Sequence, residues 1–233
     1  MCMIGIVFPI SSMTDELIQE RLDVIRQCAQ ETTEFALYRA VNNIVSIESR
    51  YEAELASSEV MRLCKRAEED GCAAVVVWCA DDPGVQAARE IVNIPVVGPG
   101  ESAMLYAYNL ARKFSVLVPF KAQAYLAEEL AERSGLSSRL VSVRGVELPV
   151  LEMRKNKELL FKRLCQAGKS AICDDKAQAL AFCCLGMTGM GKALSEELGV
   201  PVLEPAKTAV AFAESLIHLH CSYSKLTYAF PPK

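Results

Sequence analysis

The chain of 233 residues is 52% hydrophobic and 23% charged, with a formal net charge of -4 at pH 7. These values are typical of a globular protein with a buried core and exclude a disordered chain. They give no electrostatic reason to expect a nucleic-acid partner. No apolar run approaches the roughly 20 residues that span a bilayer. The start, MCMIGIVFP, lacks the basic residues and cleavage site of a signal peptide. We therefore expect a cytoplasmic protein without a membrane partner.

Strand-like and helix-like patterns alternate along the chain. In the first half we predict a strand at 4–8, a helix at 14–30, a strand at 35–41, a helix at 53–70, a strand at 72–79, a helix from Pro83, a strand at 95–98 and a helix at about 102–112. In the second half we predict a strand at 114–118, a helix ending at Gly135, a strand at 140–143, a long helix from about Lys155 and a strand at 180–185. Repeated units of this kind predict parallel sheets with helices on both faces.

One segment occurs twice in related form. VVVWCADDPGVQAAREIVNIPVVGPGESA begins at Val75 and CCLGMTGMGKALSEELGVPVLEPAKTA begins at Cys183, and we align Cys79 with Met187. The repeat predicts an α/β fold of two similar Rossmann-like lobes with parallel sheets, related by a pseudo-twofold, with the active site in the cleft between them. The first lobe is expected to comprise 1–99 plus about 207–233, and the second about 100–206.

The ends of the two repeated strands are the predicted functional edge, because ligands in such folds bind beyond the carboxyl ends of the strands. Asp82 is predicted to cap a helix that starts at Pro83, and Thr188 to begin the equivalent helix. Amides at a helix start stabilise an anion and favour a neighbouring thiolate. The pattern indicates a carboxylate substrate beside the thiol of Cys79. The alternative is that Cys79 is one more buried strand cysteine.

The other cysteines and the histidines carry less information. Ten cysteines occur without a CxxC pair, mostly among apolar neighbours, so we expect most of them to be small core residues. His218 and His220 are two residues apart with no acidic cluster nearby. The sequence therefore predicts no metal site.

Five segments together resemble the hydantoin, aspartate and glutamate racemase superfamily, particularly its hydantoin racemase branch. WCADDPGVQAARE followed by NIPVVGPGESA is similar to the first cysteine motif of that family. IVFPISSMT, SIES, LGMTGM and VPVLEPAKTAVAFAESL resemble further family segments, in the same order along the chain. The resemblance covers nearly the whole sequence.

The resemblance implies cofactor-independent proton transfer at a carbon next to a carbonyl, on a small carboxylate or cyclic amide, by an oligomeric enzyme. In such enzymes one cysteine thiolate takes the proton, and an opposite thiol returns one to the other face. Cys79 is carried over as the first acid/base. Amides of Ala80, Asp81, Thr188 and Gly189 are implied as donors. The implied substrate-binding residues are Phe8, Ser11, Ser12, Ala80, Asp81, Val118, Pro119, Thr188 and Gly189.

The sequence also departs from the family pattern. Met187 stands where the alignment expects the second cysteine, and a thioether has no ionisable proton. Phe8 and Ile10 replace two asparagines, and Val118 and Pro119 replace a pair of threonines. These exchanges predict a pocket poorly suited to a dicarboxylate.

Cys183 and Cys184 are weighed as substitute acids. We place Cys184 within the predicted strand, three residues before Met187, where it faces away from Met187 or lies at the wrong depth. Three interpretations follow. The protein is an isomerase with Cys79 as its sole cysteine acid/base, a one-cysteine lyase resembling arylmalonate decarboxylases, or an inactive family member that binds a small molecule.

Overall fold

A computed structural model describes residues 2–41 and 43–232. Within these residues the strands form two four-stranded sheets, and every strand pair in both sheets is parallel. The chain divides into two compact units. One comprises the chain up to Pro99 together with the chain from Ala209, and the other is Gly100–Thr208. The predicted α/β fold with two parallel sheets is confirmed.

The first unit has the strand order β2-β1-β3-β4. Its strands are β1 (Cys2–Phe8), β2 (Thr33–Arg39), β3 (Ala74–Val77) and β4 (Val96–Val97). Its first helices are α1 (Asp15–Arg26), α2 (Arg50–Glu69) and α3 (Val85–Ile91). All four residues of β3 are buried, which agrees with the continuous apolar run in the sequence and with helices on both faces of the sheet.

Helix α2 shows why these boundaries form. Its N-cap Ser49 accepts a hydrogen bond from the backbone N–H of Glu52, and the Glu52 carboxylate accepts one from the N–H of Glu48. These contacts satisfy amides that a helix start leaves without partners. The helix ends before Gly71, which has a φ of 87° that an L side chain rarely adopts.

The second unit repeats this topology, with the strand order β6-β5-β7-β8. Its strands are β5 (Phe114–Val118), β6 (Leu140–Gly145), β7 (Ala179–Phe182) and β8 (Val202–Leu203). The remaining helices are α4 (Pro99–Leu110), α5 (Ala124–Arg133), α6 (Val150–Lys155), α7 (Lys157–Cys173), α8 (Gly191–Leu198) and α9 (Pro205–His218). Helices α4 and α9 each follow a fourth strand and start with proline. Each crosses the boundary between the two units in sequence.

Two predicted helix starts are wrong. Helix α3 begins at Val85 after Gly84, which has a φ of 68° and no side-chain cap, so Asp82 does not cap a helix starting at Pro83. Helix α8 begins at Gly191 rather than at Thr188. In both units a turn follows the strand before the helix starts, and the turn contains a glycine with positive φ (Gly84 or Gly189).

Each unit packs its own apolar core. In the first unit α2 and α3 lie on the sheet through residues such as Val60, Leu63 and Val85. In the second unit α6, α7 and α8 contribute Met153, Leu164 and Leu194 to the core. No helix in the described part of the chain is long and apolar enough to cross a membrane.

Candidate active site

The third strands, β3 and β7, occupy the same place in their two sheets. Ala74 lies opposite Ile4 of β1, and Ala179 lies opposite Phe114 of β5. Both strands then run for four residues and end at Val77 or Phe182. The two units can therefore be compared residue by residue from these alanines.

The comparison brings two cysteines to the same position. The N–H of Trp78 donates to a carbonyl of β1 at 2.7 Å, and the N–H of Cys183 donates to the matching carbonyl of β5 at 2.8 Å. The next residue is Cys79 in the first unit and Cys184 in the second. Each unit thus has a cysteine as the second residue beyond its third strand, at the carboxyl edge where ligands bind in such sheets.

The following turn gives the same correspondence. The N–H of Asp82 donates to the carbonyl of Cys79 at 3.1 Å, and the N–H of Met187 donates to that of Cys184 at 3.2 Å. Met187 therefore corresponds to Asp82, and the alignment of Met187 with Cys79 is wrong. Cys184 also lies beyond the end of β7 at Phe182 rather than inside the strand. The apolar run continues past the end of hydrogen-bonded pairing, so its length alone placed the strand end too late.

The sulfur of Cys184 has a backbone donor. The N–H of Gly186 donates to Sγ of Cys184 at 3.3 Å, while the side chain of Cys184 is largely buried. A donor aimed at sulfur stabilises its negatively charged form. Cys79 is half-buried. Both thiols thus lie in partly enclosed positions at the ends of buried strands, as a proton-transfer group requires.

Several other thiols are held in the neutral form. Burial raises the pKa of Cys2, Cys72 and Cys165, and it raises the pKa of Cys64 to about 12. The exposed thiols are Cys28, Cys173 and Cys221, so fewer of the ten are core residues than we predicted. Among the described residues, no three His, Cys, Asp or Glu side chains come together in a way that could hold a metal ion.

The predicted amide donors of the second unit already have protein partners. The N–H of Thr188 donates to the carbonyl of Leu185 at 3.2 Å, and its hydroxyl donates to the same carbonyl at 2.7 Å. The N–H of Gly189 donates to Oε2 of Glu204 at 2.5 Å. These amides have partners within the protein, and their role as substrate donors stays a prediction.

With Cys184 aligned to Cys79, the residues of the second unit that correspond to Ala80 and Asp81 also change. Ala80 and Asp81 follow Cys79, and the corresponding residues after Cys184 are Leu185 and Gly186. Ala80 is buried and Asp81 half-buried. The sequence signal for this correspondence was present, because AVVVWC from Ala74 and ALAFCC from Ala179 align without a gap.

The predicted amino-terminal loop lies beyond β1, which is adjacent to β3. The hydroxyl of Ser11 donates to the carbonyl of Ile44 at 3.1 Å, and that of Ser12 donates to the carbonyl of Val45 at 2.5 Å. These bonds fix the loop. The contact of Ser11 and Ser12 with substrate stays a prediction.

The remaining predicted residues form apolar strand ends. Phe8 ends β1 and packs against Trp78 with ring centroids 5.5 Å apart. Val118 ends β5, and Pro119 follows it. All three predicted residues are buried, so they support the neighbouring loops through packing. Their direct contact with substrate stays a prediction.

Duplicated parallel sheets with a thiol at the same strand end define an α/β enzyme whose candidate acid/base groups are cysteines. Residues 4–213 match the Asp/Glu/hydantoin racemase family. A hydantoin racemase from Pseudomonas sp. (strain NS671) is 35% identical over 209 residues, which cover 89% of this chain and 84% of the relative. The chain belongs to the Asp/Glu/hydantoin racemase family, and it is an isomerase of the racemase class.

Two solved structures share the whole fold. An allantoin racemase from Klebsiella pneumoniae superimposes with a TM-score of 0.93 at 28% identity, covering 100% of this chain and 95% of the other. An allantoin racemase from Pseudomonas fluorescens superimposes with a TM-score of 0.92 at 30% identity, covering 99% and 98% of the two chains.

Proposed function

We propose that the protein interconverts the enantiomers of a 5-substituted cyclic ureide, such as a hydantoin or allantoin. The reaction is proton transfer at the ring carbon next to the carbonyl, without a cofactor, and Cys79 and Cys184 are its two acid/base groups. One observation carries this proposal: both units have a cysteine as the second residue beyond the third strand. It replaces the expectation that Cys79 is the sole cysteine acid/base.

The chemistry needs one ionised and one neutral thiol. The thiolate takes the proton from the ring carbon, and the electron pair of the broken C–H bond moves into the adjacent carbonyl to give an enolate. The second thiol donates its proton to the opposite face of that carbon as the carbonyl re-forms. Each turnover exchanges the protonation states of the two sulfurs, so the reverse reaction uses the same groups in opposite roles.

The substrate class follows from the strand ends and the relatives. Phe8 and Val118 are buried apolar residues at the ends of β1 and β5, and neither offers the hydrogen bonds that a dicarboxylate needs. The similar proteins described above are named hydantoin and allantoin racemases. A neutral cyclic ureide fits both observations better than a charged amino acid.

The lyase and inactive-protein interpretations both depended on the absence of a second cysteine. Cys184 at the position that corresponds to Cys79 removes that reason. A single-thiol enzyme has no need for a second sulfur at the matching strand end with a backbone donor at 3.3 Å.

Replacing either thiol tests the proposal. We expect Cys79→Ser and Cys184→Ser each to slow racemisation by at least about 100-fold, because each removes one of two proton-transfer groups. In D2O each variant should still exchange the ring proton of one enantiomer, and the two variants should retain opposite enantiomers. Circular dichroism follows racemisation, and proton NMR follows exchange, with separate enantiomers of 5-benzylhydantoin and of allantoin as probes.

Cys173→Ser is the matched control, since this thiol is exposed and ends α7, which leads into the amino end of β7 rather than to its carboxyl end. It should racemise both probes at the wild-type rate. Full racemisation by Cys184→Ser would overturn the proposed role of that thiol, and no racemisation of any probe by the wild type would overturn the substrate class.

A further inference from the structure

Glu204 is a buried carboxylate beside the loop that carries Cys184. It follows β8 directly, and only 5% of its surface is exposed. Its Oε2 accepts the N–H of Gly189 at 2.5 Å, and its Oε1 pairs with Nζ of Lys207 at 2.9 Å. A Cβ atom on Gly191 would lie 2.5 Å from Cγ of Glu204, so the glycine leaves the room that this side chain fills.

Asp82 is a buried carboxylate in the loop that carries Cys79. Only 4% of its surface is exposed, and its φ of 54° is in the left-handed region that favours glycine. A Cβ atom on Gly98 would lie 2.5 Å from Cγ of Asp82. Gly98 follows β4 directly and precedes α4, so this carboxylate also fills room left by a glycine.

The two arrangements are complementary. Gly98 and Glu204 hold the same position, since each follows the fourth strand and precedes a helix that starts with proline. Asp82 and Met187 hold the same position in the turn after the thiol. In the first unit the carboxylate comes from the thiol loop, and in the second it comes from the end of the fourth strand. Each unit therefore has one buried carboxylate between its thiol loop and the end of its fourth strand.

Keeping a buried carboxylate at this place has a physical cost that apolar packing would avoid. Both carboxylates lie where a long helix begins, and a helix start stabilises negative charge through its free amides and its dipole. The positive φ of Asp82 adds backbone strain to the cost. Retention of the same charged group by different residues indicates a requirement of the thiol loop itself.

We propose that Glu204 and Asp82 are matching positioning residues. Each holds in position the loop that carries the acid/base thiol of its unit. The inference rests on the proposed function of Cys79 and Cys184. In the second unit the chain of contacts is short: Glu204 holds the N–H of Gly189. Between Cys184 and Gly189, the N–H of Met187 bonds the carbonyl of Cys184 and Thr188 bonds that of Leu185. A shift at Gly189 therefore reaches the thiol within one turn.

The roles are tested by exchange of the ring proton in D2O, measured for one thiol at a time by adding each variant to the Cys79→Ser and the Cys184→Ser background. Racemisation rates do not separate the two thiols, because each direction uses both of them. In Glu204→Ala we expect proton removal by Cys184 to slow about tenfold or more, while removal by Cys79 stays near the wild-type rate. Glu204→Gln keeps an acceptor for Gly189 and should lose less. Asp82→Ala and Asp82→Asn should show the same order for the other enantiomer. Cys79→Ser and Cys184→Ser identify which enantiomer each thiol serves. Glu197→Gln is the matched control, because that carboxylate pairs with Lys169 on the surface.

A double variant tests whether a carboxylate at the end of the fourth strand can replace the carboxylate of the thiol loop in the first unit. Gly98→Glu alone places a second carboxylate against Asp82, and we expect the alkylation rate of Cys79 by iodoacetamide to fall. Asp82→Met with Gly98→Glu copies the arrangement of the second unit and should recover most of that rate. A recovery of this kind is a coupling between the two positions rather than a sum of separate effects. Peptide mass spectrometry assigns the alkylated cysteine.

The outcomes separate this inference from the proposed function. If the wild type racemises but Glu204→Ala slows proton exchange by Cys184 and by Cys79 equally, or slows neither, the positioning role is overturned. If the wild type racemises no probe, the alkylation rates of the two cysteines still test the positioning role of Glu204. Glu204→Ala should then change the rate at Cys184 and leave that at Cys79 unchanged, and equal rates in all variants would overturn the inference. Circular dichroism spectra that match the wild type establish that each variant is folded.

Discussion

Gly186 leaves space beside the Cys184 thiol, because it has no side chain. A Cβ atom on Gly186 would lie 3.3 Å from Sγ of Cys184 and 3.2 Å from Sδ of Met153. We expect Gly186→Ala to crowd the sulfur and to slow alkylation of Cys184 about threefold to tenfold, because close-packed neighbours yield only a few tenths of an ångström. Quantitative mass spectrometry of the cysteine peptides measures the rate.

Gly199→Ala is the control for a general loss of stability. Gly199 has a φ of 70° and open space around it, so alanine there strains the backbone without touching the site. It should lower the unfolding free energy by about 1 kcal/mol and leave the reactivity of Cys184 unchanged. Equal slowing of Cys184 by both variants would contradict the crowding explanation.

Single residues also show which parts of the site were predictable. Cys79 was identified because its apolar strand is followed at once by a polar turn, ADDPG, that marks the strand end. The sequence places Cys184 inside a strand because apolar residues continue through Leu185, and hydropathy does not mark where hydrogen-bonded pairing stops. Glu204 gave no signal, since its contact with Gly189 depends on a turn whose backbone angles cannot be read from residue types.

Arg144 of the edge strand β6 pairs with Asp175 in the turn after α7, and its Nη2 also lies 3.7 Å from a carboxylate oxygen of Asp174. Nε and Nη2 of Arg144 donate to the two carboxylate oxygens of Asp175 at 2.8 and 2.7 Å. These hydrogen bonds hold the pKa of Asp175 below its ordinary value. A depressed pKa contributes stability that is fully present above the unfolded pKa, about 4 for aspartate, and is lost as the pH falls through the folded value.

Asp175→Asn should therefore lower the free energy of unfolding at pH 7 by about 1 kcal/mol, the upper range for a partly exposed pair with two hydrogen bonds. The difference from the wild type should shrink below a pH of about 4 and disappear once Asp175 is protonated in both states. Urea unfolding at several pH values measures it. Glu197→Gln removes a more exposed pair with Lys169, and a loss as large there would contradict the assigned cause.

Most elements were predictable because each has a strong period. Strand β5 has the predicted bounds, and α2 ends at Glu69, one residue before the predicted end at 70. Helix α6 is absent from the predicted elements because it is a short segment that ends at Lys155, and only Asn156 separates it from the start of α7 at Lys157. The side chain of Asn156 accepts a hydrogen bond from the N–H of Leu159 and caps α7. The helical pattern in the sequence therefore corresponds to two helices that meet at this asparagine.

At the scale of the whole molecule, two units with one topology give the chain two matching strand ends. The strand order repeats from β2-β1-β3-β4 to β6-β5-β7-β8. Topology could be predicted because repeated strand–helix units allow few connections. The predicted register was wrong by three residues, because such a shift changes which side chain reaches the sheet edge while apolar runs still lie over apolar runs; the ungapped match of AVVVWC with ALAFCC was the signal for the correct one. Formation of homo-oligomers stays a prediction, and light scattering checks it.

The C-terminal segment returns to the first unit and stabilises helix α3. The buried guanidinium of Arg89 donates to the carbonyl of Val96 at 3.0 Å and to the Tyr223 hydroxyl at 2.6 Å, and it lies 3.7 Å from the Tyr223 ring centroid. Tyr223→Phe keeps the ring and removes one acceptor of a buried charge. We expect it to lower the free energy of unfolding by about 1.5–3 kcal/mol. Chemical unfolding measures this, with Tyr51→Phe as the control because Tyr51 is 72% exposed. Equal stability of the two variants would mean that water replaces the phenol, and the segment would then contribute packing alone.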